Sequence, residues 1–268
     1  MRLQDFLLLG IPCLFACGCQ TMGDINLQTP QQEVTLDRQA VIEVERQQPL
    51  LQDPVITAYV SEVGHRVSGC SPRKDAEYSF KVIDSPVVNA FALPHGSIYI
   101  YTGLLKKFTN EAQLAVVLGH EVGHVTEHHS GKRFTRQLGV RVITKLVLGP
   151  NTQQGVEQTV AGLVGKGVIG QYSQSEEREA DALGAKFSYE AGYNPDAAVQ
   201  VMTILKNEED KYKGNSMQLP FFGSHPPAAS RIANLQAVLV QYPEDARSKL
   251  VFNKETYEEK ALSRLKSE

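Results

Sequence analysis

Cysteine is scarce in the body of this chain. Three of the four stand in the first nineteen residues, and only Cys70 lies beyond them. No disulfide framework can form there, and a chain of 268 residues needs none to supplement its core. Cys70, in a "GCSP" turn, reads as structural filler rather than a nucleophile. A dominant charge is missing as well: 27 Lys and Arg stand against 30 Asp and Glu, for a net charge of -3. Nothing in that balance calls for nucleic acid as a partner. No internal repeat or low-complexity block is visible, and beyond the leader no apolar run reaches the length of a membrane span. What remains, 42% apolar and 21% charged, is the composition of an ordinary globular protein of one large domain or two small ones.

The leader differs from the rest. "MRLQDFLLLGIPCLFACGC" carries an early Arg2 and an apolar run from Phe6 to Cys17, too short for a stable bilayer helix. It reads as the apolar part of a secretory signal. Small residues before Cys19 ("ACG") or Cys17 ("LFA") resemble a bacterial lipoprotein cleavage box. That resemblance implies that residues 1–19 are a signal peptide with its lipid box, in which the residues preceding a lipidated cysteine, Cys19 preferred, are removed and the lipid attaches the chain to a membrane. A plain signal peptide or a short membrane anchor is the alternative. Residues 20–32 are polar and unpatterned and suit a tether.

The main domain is expected over 33–243, followed by a charged tail, 244–268, with no assigned role. A helix is expected over Glu33 to Arg46, then a second after Asp53 as cap, with Pro54 in its first turn. "AEYSFKVID" and Ser97 to Thr102 read as strands, the latter after a Pro-His-Gly turn. Asn110 caps a long helix whose inward positions are Leu114, Val117, Leu118 and Val122. Three more helices are expected: over Ser175 to Ala191, after Asn194, and within "SHPPAASRIANLQAVLVQY".

The long helix contains "HEVGH", residues 120–124. Residues four apart share a helix face, so His120 and His124 can present both imidazoles to one ion. Glu121 beside them can reach a water on that ion rather than the ion itself. Zinc suits imidazole nitrogen and keeps one position open; it acidifies water and polarises a carbonyl while a carboxylate takes the proton. Unliganded, two such histidines in so apolar a segment would leave polar groups without partners, at about 1–3 kcal/mol each.

One protein ligand is still missing. A third histidine downstream fails on spacing, because Glu127 and Ser130 occupy the positions where the extended motif needs Gly and His. His128 and His129 are therefore expected at the surface or behind the ligands. A carboxylate from "SQSEEREADALGAKF" is the other candidate: Glu177 and Asp181 lie four apart, one to bind the ion and one to hold a ligand histidine. Glu179 remains a substitute, and spacing alone does not separate this run from a solvated acidic stripe.

Taken together, "DPVITAYVSEVGHRV", "NAFALPHGSIYIYTGLL", "NEAQLAVVLGHEVGHV", "YSQSEEREADALG" and "SHPPAASRI" resemble, in order and spacing, the HtpX and Oma type of zinc metallopeptidase, related to the type I CAAX prenyl proteases. The resemblance runs from about Gln47 to Gln241 and is nearest to the soluble lipoprotein members. It implies a mostly helical α+β fold, zincin-like and of the gluzincin kind, with a small edge sheet beside the active-site helix. It also implies one zinc per chain on His120, His124 and Glu177, with Glu121 as general base and Asp181 behind the ligands. Asn89, Ala90 and Phe91 match the edge that pairs with an extended polypeptide substrate. His225 and Arg231 match positions near the metal, to stabilise an oxyanion or, for His225, to fill the open position at rest. One departure is His95, where the family turn has the first of two glycines. The implied protein is an endopeptidase at the periplasmic side of a bacterial envelope, held at the outer membrane more than the inner, acting on unfolded or misassembled proteins. The alternative is a largely latent, chaperone-like assembly factor, its metal blocked by His225 or the 206–224 loop.

Overall fold

The computed structural model describes residues 29–133, 171–212, 225 and 228–266. The leader with Cys17 and Cys19, residues 138–170 and residues 213–224 lie outside the described residues.

Helix α1 (Pro30–Gln47) starts ahead of the expected Glu33, because Thr29 and Gln32 form a reciprocal capping box and Pro30 fits the first turn. Helix α2 (Pro54–Ser68) begins where the sequence indicates: the Asp53 side chain accepts from the main-chain N–H of Val55 and Ile56. Three strands follow, β1 (Ser79–Ile83), β2 (Ala90–Ala92) and β3 (Ser97–Tyr101). The sheet order is β1-β3-β2, with β1 parallel and β2 antiparallel to the central β3. One sheet face packs Tyr99, Tyr101 and Ile83 on Leu36, Ala40 and Val44 of α1. The other lies on the main core with α2 and the long helix α4. In the β2–β3 turn Gly96 holds φ 118, and a Cβ there would meet Glu77 main chain at 2.9 Å. The turn thus needs glycine only at its second position, which is why His95 is tolerated at the first.

After a single turn, α3 (Thr102–Leu105), comes α4 (Glu111–Thr126), whose Asn110 cap accepts from Gln113 N–H. The four expected inward residues are buried, but so is every other residue of α4. It runs through the middle of the molecule, between α2 and the sheet on one side and α5 (Gln174–Glu190) and α6 (Ala197–Tyr212) on the other. A helix apolar all round belongs in such a place. Ser173 caps α5 in a second capping box with Glu176. Helix α7 (Ala228–Leu239) packs across α6 and α5.

The charged tail joins the core. Short helices α8 (Glu244–Arg247) and α9 (Lys254–Tyr257) lead through a π-helical turn to α10 (Ser263–Lys266). Tyr257, Ala261, Leu262 and Leu265 are buried in the main cluster, and the Tyr257 hydroxyl donates to Leu105 O at 2.7 Å. Tyr257→Ala should therefore cost about 3–5 kcal/mol in denaturant unfolding, as a buried aromatic does. A cost under about 1 kcal/mol would mean that the tail does not belong to the folded unit.

Candidate metal centre

One helical turn separates His120 from His124, and their Nε2 atoms converge to 3.0 Å. Helix α5 lies against the same face at backbone range. A Cβ on Gly184 would stand 2.9 Å from His120 N, and one on Gly119 3.0 Å from Gly184 O. Glycine at these positions is what lets Glu177 of α5 arrive between the imidazoles. Its Oε1 is 3.3 Å from His124 Nε2 and its Oε2 3.7 Å from His120 Nε2. Ligand atoms bound tetrahedrally at zinc-like bond lengths stand about 3.3 Å from one another. The three separations bracket that edge. Two imidazoles and a carboxylate so arranged fit a small divalent ion.

Each ligand is anchored from behind. His120 Nδ1 lies 3.0 Å from Asp181 Oδ1, so the ring donates there and turns its Nε2 lone pair to the centre. His124 Nδ1 lies 3.1 Å from His129 Nδ1, and His129 Nε2 3.3 Å from Glu179 Oε2. Burial holds the His124 pKa well below the usual imidazole value and pushes that of His129 down to about 4. Both rings are thus neutral, as metal ligation requires.

Arg231, wholly buried, grips the carboxylates. Its Nε and Nη2 donate to Asp181 Oδ2 and Oδ1 at 2.8 and 2.5 Å, and its Nη1 stands 2.8 Å from Glu177 Oε2. Burial alone would raise both carboxyl pKa values, yet Arg231 helps hold Glu177 well below the carboxylate range and Asp181 below it. With its fork engaged on both sides, Arg231 is a clamp rather than a free donor for an oxyanion. His225 Nδ1 lies 2.7 Å from Glu177 Oε1 and 3.5 Å from His120 Nε2. Its ring joins the two histidines and Glu177 in a cluster whose candidate ligand atoms all lie within 4.8 Å of one another.

Glu121 borders this network, its Oε1 3.8 Å from His225 Nε2, but makes no hydrogen bond in it. It is fully buried, neither oxygen has a hydrogen-bond partner, and burial pushes its pKa up to about 7. A carboxyl that binds and releases a proton near neutrality is suited to general base work.

The histidines after the motif separate as expected, for a reason that the spacing did not show. Helix α4 ends at Thr126, and His128 takes φ 56 and turns out to Glu33, 2.9 Å away. The acidic run, which spacing left open between ligands and a solvated stripe, divides: Glu177 and Asp181 are buried, while Glu179 goes to His129. Tyr172 was not anticipated. It stacks on His124, ring centroids 3.6 Å apart and 9° between planes, and its hydroxyl shares a 3.0 Å hydrogen bond with Ser130 Oγ. No helical spacing links it to the ligands, so only its place just before the α5 cap could have pointed to it.

At the sheet edge, Asn89 O accepts from Tyr101 N–H and Leu93 N–H donates to Ser97 O. Pairing alternates along an antiparallel strand, so Phe91 also bonds to β3 while Ala90 and Ala92 turn their main-chain groups to the open side. Ser130 Oγ already reaches Ala92 O from that side, at 3.1 Å. Of the Asn89–Ala90–Phe91 edge, then, Ala90 is the residue whose main-chain groups turn away from β3, and it is fully buried, as is Ala92.

The family model described as peptidase family M48 matches residues 54–239. The beta-barrel assembly-enhancing protease of Escherichia coli (strain K12) is 27% identical over 252 residues, 86% of this chain and 51% of that protein. Metalloprotease LoiP of the same organism is 27% identical over 184 residues, 68% of each chain. Mitochondrial metalloendopeptidase OMA1 of Arabidopsis thaliana is 33% identical over 150 residues, 56% of this chain and 29% of the relative. The chain spans about half the length of the beta-barrel assembly-enhancing proteases that it matches.

Two outcomes are expected. Arg231→Gln should weaken metal binding about 10–100-fold, read by competition with a chromophoric chelator, because Glu177 and Asp181 lose their clamp. Unchanged affinity would refute the clamp. In metal-free protein, the raised Glu121 pKa gives stability that is full below the unfolded value and lost as pH rises through about 7. The melting temperature of Glu121→Gln should therefore rise relative to wild type between pH 5 and 8; a constant difference would contradict the buried, unpartnered carboxyl.

Proposed function

The chain belongs to peptidase family M48, and from that membership we propose a zinc-dependent endopeptidase that cleaves polypeptides at the His120, His124, Glu177 centre. The observation that carries this reading is the convergence of those three donors at separations close to a tetrahedral edge, with the buried Glu121, which makes no hydrogen bond, next to His120 in the chain. When bound, one zinc ion per chain would acidify the attacking water and polarise the scissile carbonyl. Glu121 takes the proton from that water and passes it to the leaving nitrogen, its buried carboxyl being poised to do both. Asp181 and Arg231 hold His120 and Glu177 in place. Main-chain groups of Ala90 and Ala92 receive the extended peptide, as an unpaired strand edge can.

The envelope setting belongs to the same proposal. The leader and Cys19 support a lipid-anchored domain on the periplasmic side, with the outer membrane favoured, and residues 20–32 as its tether. Relatives named for β-barrel assembly support unfolded or misassembled envelope proteins as substrates. No helix among the described residues is long and apolar enough to cross a membrane.

One observation favours a second reading, a largely latent assembly factor. His225 Nδ1 sits among the ligand atoms, where a fourth donor would fill the position that a catalytic centre leaves open.

Glu121→Gln should keep one zinc per chain by elemental analysis and lose about a hundredfold or more of the rate on denatured casein. Cleavage at the wild-type rate would refute the mechanism. His225→Ala separates the two readings: the rate rises if the ring blocks the centre and falls if it serves the reaction.

A further inference from the structure

Among the described residues, Arg133 is a buried cation that makes no hydrogen bond and no close ion pair. Only 1% of it is exposed, and none of its nitrogens, Nε, Nη1 or Nη2, has a hydrogen-bond partner. The other two buried guanidiniums among the described residues are both paired, Arg73 with Glu33 at 2.6 Å and Arg231 with Glu177 at 2.8 Å. What Arg133 does have is Tyr172, whose ring centroid lies 4.0 Å below its guanidinium carbon. His124 covers the same ring at 3.6 Å and almost parallel, so the two must lie on opposite faces. The ring is thus sandwiched between a metal-ligand candidate and a cation. Such a contact offsets part of the desolvation of a guanidinium and leaves its in-plane donors unsatisfied.

The position is as telling as the missing partner. Residues 129–133 are helical, so Ser130 and Arg133 share a face. Ser130 Oγ touches Ala92 O on the open side of β2 and the Tyr172 hydroxyl. Arg133 therefore flanks the strand edge offered to a peptide, with Tyr172 between it and His124. Its charge also reaches the Glu121 carboxyl. Glu121, which a substrate must approach, is buried as deeply, so burial does not set Arg133 apart from the working groups.

We propose that Arg133 is an anion subsite of the substrate cleft and takes a carboxylate of the bound peptide, from an Asp or Glu side chain or from a C-terminus. A buried planar fork whose donors lack partners matches a carboxylate in two parallel hydrogen bonds. The inference rests on the peptidase reading above and gives its substrates a chemical preference.

The test uses the zinc-loaded full chain on reduced β-casein, with cut sites mapped by mass spectrometry. Synthetic decapeptides spanning the commonest cut are then compared, each acid replaced by its amide and the C-terminus free or amidated. One carboxylate should be worth about tenfold in kcat/KM, mainly through KM. Arg133→Met should erase that preference, Arg133→Lys should keep part of it, and Arg133→Met should melt no lower than wild type. Equal cleavage of acid and amide peptides by wild type would overturn the subsite. So would an Arg133→Met loss confined to kcat and equal for every peptide, which marks an oxyanion or structural role. A binding arm separates this from the peptidase reading: fluorescein-labelled alanine-rich decapeptides with one Glu or one Gln, titrated against Glu121→Gln. The Glu peptide should bind about tenfold tighter, an advantage lost with Arg133→Met added. Failure of wild type to cut casein would sink the peptidase reading alone; equal binding of the two peptides would sink the subsite alone.

Discussion

The contact of α4 with α5 at Gly119, Gly123 and Gly184 is the constraint on which the centre depends. Two helices carry the candidate ligands, and their main chains approach until a single added Cβ would collide with His120 N or Gly184 O. At the usual 8–10 Å between helix axes, side chains intervene and a glutamate must reach across them. Here Glu177 arrives on a short lever, held by Arg231, and the imidazoles meet it at the edges of a small tetrahedron. The apolar bulk on every other side of α4 fixes the helix against sliding, so the site inherits the rigidity of the core.

That geometry buries three carboxyl groups within one polar network, and the protein treats them differently. Glu177 and Asp181 share Arg231 and stay ionised despite burial; Glu121 has no partner and its carboxyl holds its proton to about pH 7. These two environments suit the proposed division of the three groups into ligation, support and proton transfer. The same contrast separates Arg231 and Arg133. One guanidinium is consumed within the fold, and the other is buried with its donors unpartnered.

The small sheet and the tail serve this arrangement from outside. Register alone decides which main-chain groups of β2 turn away from β3, because Asn89 and Leu93 are bonded to β3 and the residues between alternate. The tail closes the far end of α2 and α3 through Tyr257 and Leu265, although the sequence assigned its charged residues no role. Amphipathic helices with one narrow apolar stripe read as polar by composition, so a charge-rich segment can still carry core residues.

By itself the sequence determined those features whose cause is local. Caps at Asp53, Asn110 and Ser173, helix-period apolar residues, and the i, i+4 pairs His120–His124 and Glu177–Asp181 are all properties of a single turn or two of chain. They sufficed for the helices, the strands and the sharing of faces within the site. Tertiary structure decided what depends on residues far apart in the chain. It turned Glu177 rather than Glu179 to the centre, engaged Arg231 as a clamp, placed His225 among the ligand atoms and slid Tyr172 between His124 and Arg133. No spacing rule encodes these pairings, because they arise only when two helices meet at glycine range and the connecting chain closes around them.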